Sequence, residues 1–314
     1  MKSFRFGIET PKLPIETWRE DLKFIEEVGY SSILWTDHFG YQWEPTVSMA
    51  STAALTTRLK TGTMVYCVDF HQPAVLAQAT ATAQILSKGR IEFGIGAGWL
   101  KTDYQQTGIP YDKPATRIRR LEEAIKIIKL MWLGNSSYNG KHYKIKDIPR
   151  SPNLDDIPPP KVLVGGGGKM LLSVAGRQAE IVSIISGLPE GKFTPDFYRR
   201  GVMKGYLKRI GYVRDAAEKA GRDFADIELS VCTTHTEATD DRDSVIEDWA
   251  GSRGLSVEEA RANPTMFVGS VDEIKEQLYS FREATGVNYI ILGLPSIDEI
   301  REFGENIVKP LKGK

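Results

Sequence analysis

The chain has 314 residues, and 41 lysine and arginine residues balance 41 aspartate and glutamate residues, so its net charge is zero at pH 7. Nucleic acid is not expected as a partner because it needs a basic surface, and no apolar run approaches the ~18 residues of a membrane span. The two cysteines, Cys67 and Cys232, are isolated, no signal-peptide core precedes them, and no zinc motif occurs. We therefore expect a cytoplasmic protein without a metal.

Strand and helix patterns alternate along the whole chain. Strands are predicted at 4–9, 31–36, 59–68, 90–98, 161–166, 180–185, 227–234 and 288–294. Helices are predicted at 14–29, at 46–57, from residue 73, at 115–132 and at 169–178. Eight β-branched runs that are apolar on both faces are typical of buried parallel strands. The pattern predicts an α/β fold, a (β/α)8 TIM barrel that occupies residues 1–314 as one domain.

Long connections are predicted at roughly 99–161 and 186–226. Connections of this length are usually lids or binding loops, so we expect insertions at the rim of the barrel that carries the active site. The arginine run of the helix at 115–132 (Arg117, Arg119 and Arg120) is interpreted as surface ion pairing with Glu122 and Glu123.

Active sites of this fold lie at the C-terminal ends of the strands, and several polar residues stand there. Glu9 ends the first strand, the pair Asp37-His38 follows the second, His71 follows the third and His235 follows the seventh. His38 is the best catalytic candidate because histidine both accepts and donates protons near neutral pH. Each of these residues also has a purely structural alternative, as a hydrogen-bonded or ion-paired rim side chain.

Four glycines, Gly165 to Gly168, follow the fifth predicted strand and precede a helix. The spacing does not fit a Walker loop, which needs G-x-x-x-x-G-K-[ST], and it fits the dinucleotide fingerprint only in part. A bare turn at a helix N-terminus exposes backbone N–H groups that suit a phosphate. The alternative is a tight corner that binds nothing.

Four segments carry a family resemblance: "WTDHF", "QPAVLAQATATAQILSKGRIEFGIGAGW", "RIRRLEEAIKIIKLMW" and "KVLVGGGGKMLLSVAGRQAEIVSI". They resemble the bacterial-luciferase-like superfamily, in particular its branch of oxidoreductases that depend on the deazaflavin coenzyme F420 and whose substrates are unassigned. The resemblance implies a barrel that holds a flavin-like ring on its C-terminal rim, and often a homodimer.

The resemblance also implies roles for particular residues at that rim. The cofactor phosphate would rest on Gly165, Gly166, Gly167 and Gly168, with N–H groups from Lys169 and Met170. The ring would pass close to Gly96, Ala97 and Gly98, and a non-proline cis peptide at Met64-Val65 would support it.

His38 would stand beside the reactive C5 atom of the cofactor, according to the same resemblance. Asp37, one residue earlier on a strand, should point the opposite way and is a structural or cofactor-ring partner. Trp43 resembles a tryptophan that lines the substrate side, Glu9 would bond a substrate hydroxyl, and His71 and His235 are weaker substrate candidates.

Three functions therefore remain for testing. The first is an F420-dependent oxidoreductase that transfers a hydride between the deazaflavin and a small organic substrate. The second is an FMN-dependent monooxygenase of the same superfamily. The third is a barrel that binds a ligand or partner without catalysis, because a fold by itself does not imply a reaction.

Overall fold

The structure is a computed structural model that describes residues 2–135, 137–149, 152, 154, 156–188 and 193–314. Its strands are β1 (Arg5–Thr10), β2 (Ser32–Trp35), β3 (Lys60–Thr63), β4 (Tyr66–Cys67), β5 (Ile91–Gly96), β6 (Tyr138–Asn139), β7 (Lys144–Ile145), β8 (Lys161–Gly166), β9 (Ile181–Ile184), β10 (Glu228–Cys232), β11 (His235–Ala238), β12 (Met266–Gly269) and β13 (Tyr289–Gly293).

The α-helices lie between these strands and after the last one. They are α1 (Trp18–Val28), α2 (Pro45–Leu55), α3 (Pro73–Leu86), α4 (Lys101–Thr107), α5 (Pro114–Trp132), α6 (Lys169–Gln178), α7 (Pro195–Arg199), α8 (Met203–Lys219), α9 (Arg242–Ser252), α10 (Val257–Arg261), α11 (Val271–Thr285), α12 (Ile297–Phe303) and α13 (Lys309–Leu311). Within the described ranges, no helix has the length and apolar character needed to cross a bilayer.

A closed parallel barrel forms the centre of the fold. Its strands follow the order β1, β2, β3, β5, β8, β9, β10 and β13, and β13 pairs with β1 to close the ring. β4 continues the third strand beyond a break at 64–65 and pairs with β5. The predicted TIM barrel is thereby confirmed, with the C-terminal ends of all its strands on one rim.

Local signals in the sequence set several helix ends. Proline occupies the first turn of α2, α3 and α5, where its missing N–H costs no hydrogen bond. α11 begins with a capping box between Ser270 and Glu273 and ends at Gly286, whose φ of 75° is left-handed. The predicted helices at 115–132 and 169–178 match α5 and α6 to within one residue at each end.

The interior of the barrel is layered. Near the N-terminal ends of the strands, Arg5 pairs with Glu92 and Glu228, and Lys60 also reaches Glu92 at 3.4 Å. Above this ionic layer lies a buried apolar cluster that contains Leu34, Met64, Leu163, Ile181 and Ile291. These two layers fill the lower barrel, so the open end for a ligand is the C-terminal rim.

Three insertions extend this rim, one more than the sequence predicts. The connection from β5 to β8 carries α4, α5 and the β6–β7 hairpin, and the connection from β9 to β10 carries α7 and α8. The third follows β10, where β11 pairs in parallel with β12 outside the barrel. The predicted seventh strand, 227–234, therefore ends early at Cys232, because the chain leaves the barrel to join a second small sheet.

Candidate active site

His38 and Asp103 form a hydrogen-bonded pair at the C-terminal rim. His38 follows β2, and its Nδ1 lies 2.6 Å from Oδ2 of Asp103, which is buried on α4. A carboxylate only accepts hydrogen bonds, so Nδ1 carries the proton and Nε2 of the neutral ring is the basic atom. Nε2 makes no hydrogen bond with any described residue, and the ring is held edge-on to Trp99 at 5.4 Å. This arrangement orients one imidazole nitrogen for proton transfer.

Asp37 is turned away from this pair, as the alternation of a strand predicts. Its Oδ2 accepts hydrogen bonds from the backbone N–H of Cys67 and from Nε2 of His71, both at 2.8 Å. These bonds connect the end of β2 to β4 and to the loop beyond it. Asp37 and His71 are therefore engaged with each other, and their predicted contacts with cofactor and substrate stay predictions.

The peptide bond between Met64 and Val65 is cis, as the family resemblance implies. It separates β3 from β4, and the Val65 side chain lies against β5. A Cβ atom at Gly96 would come within 2.6 Å of Val65 Cγ2, and one at Gly98 would overlap Tyr104 Oη. Packing alone thus requires glycine at both positions. Ala97, between them, is half-buried against the main core.

The four glycines after β8 divide into two kinds. A side chain at Gly166 would overlap Leu171, and one at Gly167 would overlap the backbone at Ile185 and Gly187. Gly165 has only ordinary neighbours, Val65 and Ser183 at 3.8 and 3.9 Å, and nothing lies within 4 Å of a Cβ at Gly168. Packing accounts for two of the glycines and leaves space at the other two.

Gly168 is also the N-cap of α6, and no side chain caps this helix. Its backbone is extended (φ −83°, ψ 144°), so the N-terminal N–H groups of α6 have no side-chain acceptor there. The Lys169 ammonium lies 5.6 Å from the Tyr212 ring centroid, and Met170 is exposed. The turn therefore fits the phosphate of a cofactor, since it combines open space with uncapped N–H donors.

Glu9, the second-last residue of β1, lies beside Cys232 of β10. The Cys232 thiol lies 3.2 Å from Oε2 of Glu9 and donates its hydrogen bond to that oxygen. Burial raises the pKa of Glu9 to about 7, and the thiol offsets only part of that effect. Burial and the neighbouring carboxyl also raise the pKa of Cys232 well above its ordinary value. The carboxyl therefore keeps its proton to a higher pH than an ordinary glutamate, and in its protonated form it can donate a hydrogen bond.

No contact among the described residues places Trp43 or His235 at this site. Trp43 stacks on Trp35 at 5.8 Å and meets Trp18 of α1 edge-on at 6.2 Å, so it packs between strand and helix. His235 opens β11, and its Nε2 lies 3.0 Å from Glu237 on the same small strand. The structure gives Trp43 a packing role, and the substrate contacts of both residues remain predictions.

Several residues of the rim are not apparent from the sequence pattern. Asp103 is one, since only the fold brings it to His38. Arg120 binds Asp69 at 2.9 Å and Asp112 at 2.6 Å. Arg117 is buried with its guanidinium 4.1 Å from the Tyr111 ring centroid, so its interpretation as a surface ion-pairing residue is wrong. α5 packs against the rim, so its three arginines do not all face water.

The eight-stranded barrel, its histidine–carboxylate pair and its open glycine turn define a (β/α)8-barrel protein with a candidate ligand site on its C-terminal rim. Within the described part of the chain, no group of three or more His, Cys, Asp or Glu side chains is arranged to hold a metal ion. The model of the luciferase-like monooxygenase family matches residues 6–288. The chain belongs to this family, and the resemblance predicted from the sequence is confirmed.

Known relatives and solved structures are similar over nearly the whole chain. An F420-dependent glucose-6-phosphate dehydrogenase of Amycolatopsis mediterranei (strain U-32) is 27% identical over 317 residues, which cover 91% of this chain and 92% of the relative. An F420-dependent secondary alcohol dehydrogenase, solved with an F420–acetone adduct, has a TM-score of 0.78 at 19% identity and 99% and 98% coverage. The F420-dependent tetrahydromethanopterin reductase of Methanopyrus kandleri has a TM-score of 0.76 at 20% identity, covering 99% of this chain and all of that one.

Proposed function

We propose that this protein is an oxidoreductase that uses coenzyme F420 to exchange a hydride with a small organic substrate. The observation that supports this most is the shared position of the His38–Asp103 pair and the open glycine turn on one rim of the barrel. Val65 links the strand segment 96–98 to the glycine turn, since it lies against Gly96 on one side and 3.8 Å from a Cβ atom at Gly165 on the other. The names of the similar proteins support the choice of F420.

The cofactor would be held by the backbone of the turn after β8. Gly165 and Gly168 leave room for its phosphate, and the first N–H groups of α6, including those of Lys169 and Met170, would donate to it. Val65 would support the ring from below, near the strand segment 96–98. When bound, F420 supplies a carbon atom, C5, that accepts or releases a hydride.

His38 would move the proton that accompanies this hydride. Its Nε2 would take a proton from a substrate hydroxyl during oxidation, or return one to a carbonyl oxygen during reduction. Asp103 would keep the Nδ1–H in place and so fix the tautomer. Glu9, whose pKa burial raises to about 7, would in its protonated form donate a hydrogen bond to a substrate oxygen at the C-terminal rim.

An FMN-dependent monooxygenase is the second candidate, and the family description favours it. Titration of the purified protein with F420 and with FMN, followed by cofactor fluorescence, distinguishes the two. We expect the tighter binding for F420. Tight FMN binding without F420 binding would reverse the assignment, and a protein that binds F420 but turns over no alcohol or carbonyl compound would favour a barrel without catalysis.

Substitution of Gly168 tests the cofactor site directly. In Gly168→Asp the new carboxylate would cap α6, so we expect the protein to gain roughly a few tenths of a kcal/mol of stability. The same charge would repel the cofactor phosphate, so F420 affinity should fall about ten-fold or more. Gly168→Asn is the matched control, because it caps the helix without the charge. Equal F420 affinity for the aspartate and asparagine variants would argue against a phosphate at this turn.

We also propose that the protein forms a homodimer and that it is located in the cytoplasm. Exposed apolar side chains lie on the neighbouring helices α2 and α3, namely Val47, Leu55, Val75 and Leu86. An exposed apolar surface of this kind is a reason to expect a protein partner, here a second copy. Both cysteines are free thiols, which supports a reducing compartment.

A further inference from the structure

Two pairs of aromatic side chains lie at the rim near the candidate catalytic histidine. Trp99, which meets the His38 ring edge-on, also meets Phe193 edge-on at 5.3 Å. On the other side, Phe39 directly follows His38 and lies 5.0 Å from Phe70. These four side chains, Phe39, Phe70, Trp99 and Phe193, are called the aromatic mouth below. They come from the segments after β2, β4, β5 and β9, so they converge at the C-terminal rim.

Part of the aromatic mouth is open to water. Phe193 is 56% exposed and Phe39 is 46% exposed, although each touches another ring of the mouth or of its surroundings. Leaving large apolar side chains in water is unfavourable, and covering them with an apolar ligand recovers that free energy. Exposed aromatic side chains beside a candidate catalytic group therefore indicate that the ligand that covers them is apolar.

Two arginines of α5 lie behind the Phe70 side of this mouth, Arg117 through the Tyr104 ring and Arg120 through Asp69. Arg120 is bound by Asp69 at 2.9 Å and by Asp112 at 2.6 Å. Arg117 is buried over the Tyr111 ring, and two of its guanidinium nitrogens have no hydrogen-bond partner among the described residues. A phosphate in the mouth would have to break the ion pairs of Arg120 or enter the interior to reach Arg117. The charges of these two arginines thus disfavour a sugar phosphate.

From these contacts we infer that the substrate is an uncharged, ring-bearing alcohol or ketone whose apolar body packs within the aromatic mouth and whose oxygen faces Nε2 of His38. This inference rests on the proposed function and narrows its substrate class. Edge-to-face and stacked contacts with Phe39, Trp99 and Phe193 would hold the ring. The oxygen would then lie beside the nitrogen that Asp103 leaves free.

Ligand binding measured by calorimetry tests the inference without turnover. The probes are acetophenone and glucose 6-phosphate, each titrated into the protein with and without F420. We expect acetophenone to bind more tightly than glucose 6-phosphate, and Phe193→Ala to weaken acetophenone binding about ten-fold. Phe193→Leu, which keeps an apolar side chain, should restore most of the affinity.

Tyr41→Ala is the matched control, because Tyr41 is an aromatic residue of the same rim loop as Phe39 and is 91% exposed. It should leave acetophenone binding unchanged. Tighter binding of glucose 6-phosphate, equal losses in the Tyr41 and Phe193 variants, or no acetophenone binding by F420-loaded protein would each overturn the substrate class. Acetophenone binding by a protein that does not bind F420 would instead uphold the mouth and overturn the proposed cofactor.

Discussion

Replacing Glu9 by glutamine should make the protein more stable at alkaline pH and leave it nearly unchanged at acidic pH. Glu9, near the end of β1, accepts a hydrogen bond from the Cys232 thiol, and burial raises the pKa of Glu9 from 4.5 to about 7. Glutamine has nearly the same shape and still accepts the thiol hydrogen bond. The substitution therefore removes the ionisation and keeps the packing.

The magnitude follows from the difference in proton binding between the folded and unfolded states. Between pH 4.5 and about 7 the folded protein retains the Glu9 proton and the unfolded chain has lost it, so stability falls as the pH rises through this window. At about 1.4 kcal/mol per pKa unit the full cost is about 3 kcal/mol. Since Glu9 is half-buried and water reaches the rim, we expect Glu9→Gln to gain about 1–3 kcal/mol at pH 8.

Urea unfolding of the wild type and Glu9→Gln at pH 5 and pH 8 measures this gain. Glu26→Gln is a control of opposite sign. Burial acts to raise the pKa of Glu26, but N–H groups of Arg58, Leu59 and Thr57 outweigh it and lower the pKa. That carboxylate stabilises the fold above its unfolded pKa of 4.5, so its loss should destabilise the protein by a similar amount at pH 5 and pH 8, and by less only below pH 4.5. A stability difference between wild type and Glu9→Gln that is equal at both pH values would refute the reasoning.

Two further predictions concern catalysis and assembly. Asp103→Asn should lower kcat about 100-fold and change the pH profile without changing F420 affinity, because His38 loses its fixed tautomer. The control is Asp112→Asn, whose side chain pairs with Arg120 and which should leave the pH profile unchanged. Equal effects of the two variants on the pH profile would contradict the role of Asp103. Val75→Glu should shift light-scattering mass from dimer towards monomer, because it places a charge on the exposed apolar surface of α3, and an unchanged dimer mass would place the interface elsewhere.

Periodicity and local signals were enough to predict much of this fold. Branched apolar runs encode the strands, and prolines and glycines encode the helix ends, because these effects act between neighbours in sequence. The glycine turn at Gly165–Gly168 and the position of His38 after a strand could be predicted for the same reason. The family resemblance located the cis peptide at Met64-Val65, which no local pattern indicates.

Other features depended on contacts between distant parts of the chain. His38 and Asp103 are 65 residues apart, and only barrel closure together with the insertion that carries α4 brings them to 2.6 Å. The ring stacking of Trp43 on Trp35 and the pairing of β11 with β12 are likewise set by packing between elements.

The sequence by itself determined the barrel, its family and the rim on which a ligand binds, because strand direction and local turns are properties of short segments. Tertiary structure alone decided which acid orients the histidine, which glycines leave open space and why the Glu9 carboxyl keeps its proton. Those properties depend on desolvation and on distances between side chains, and both come into being only when the segments pack together.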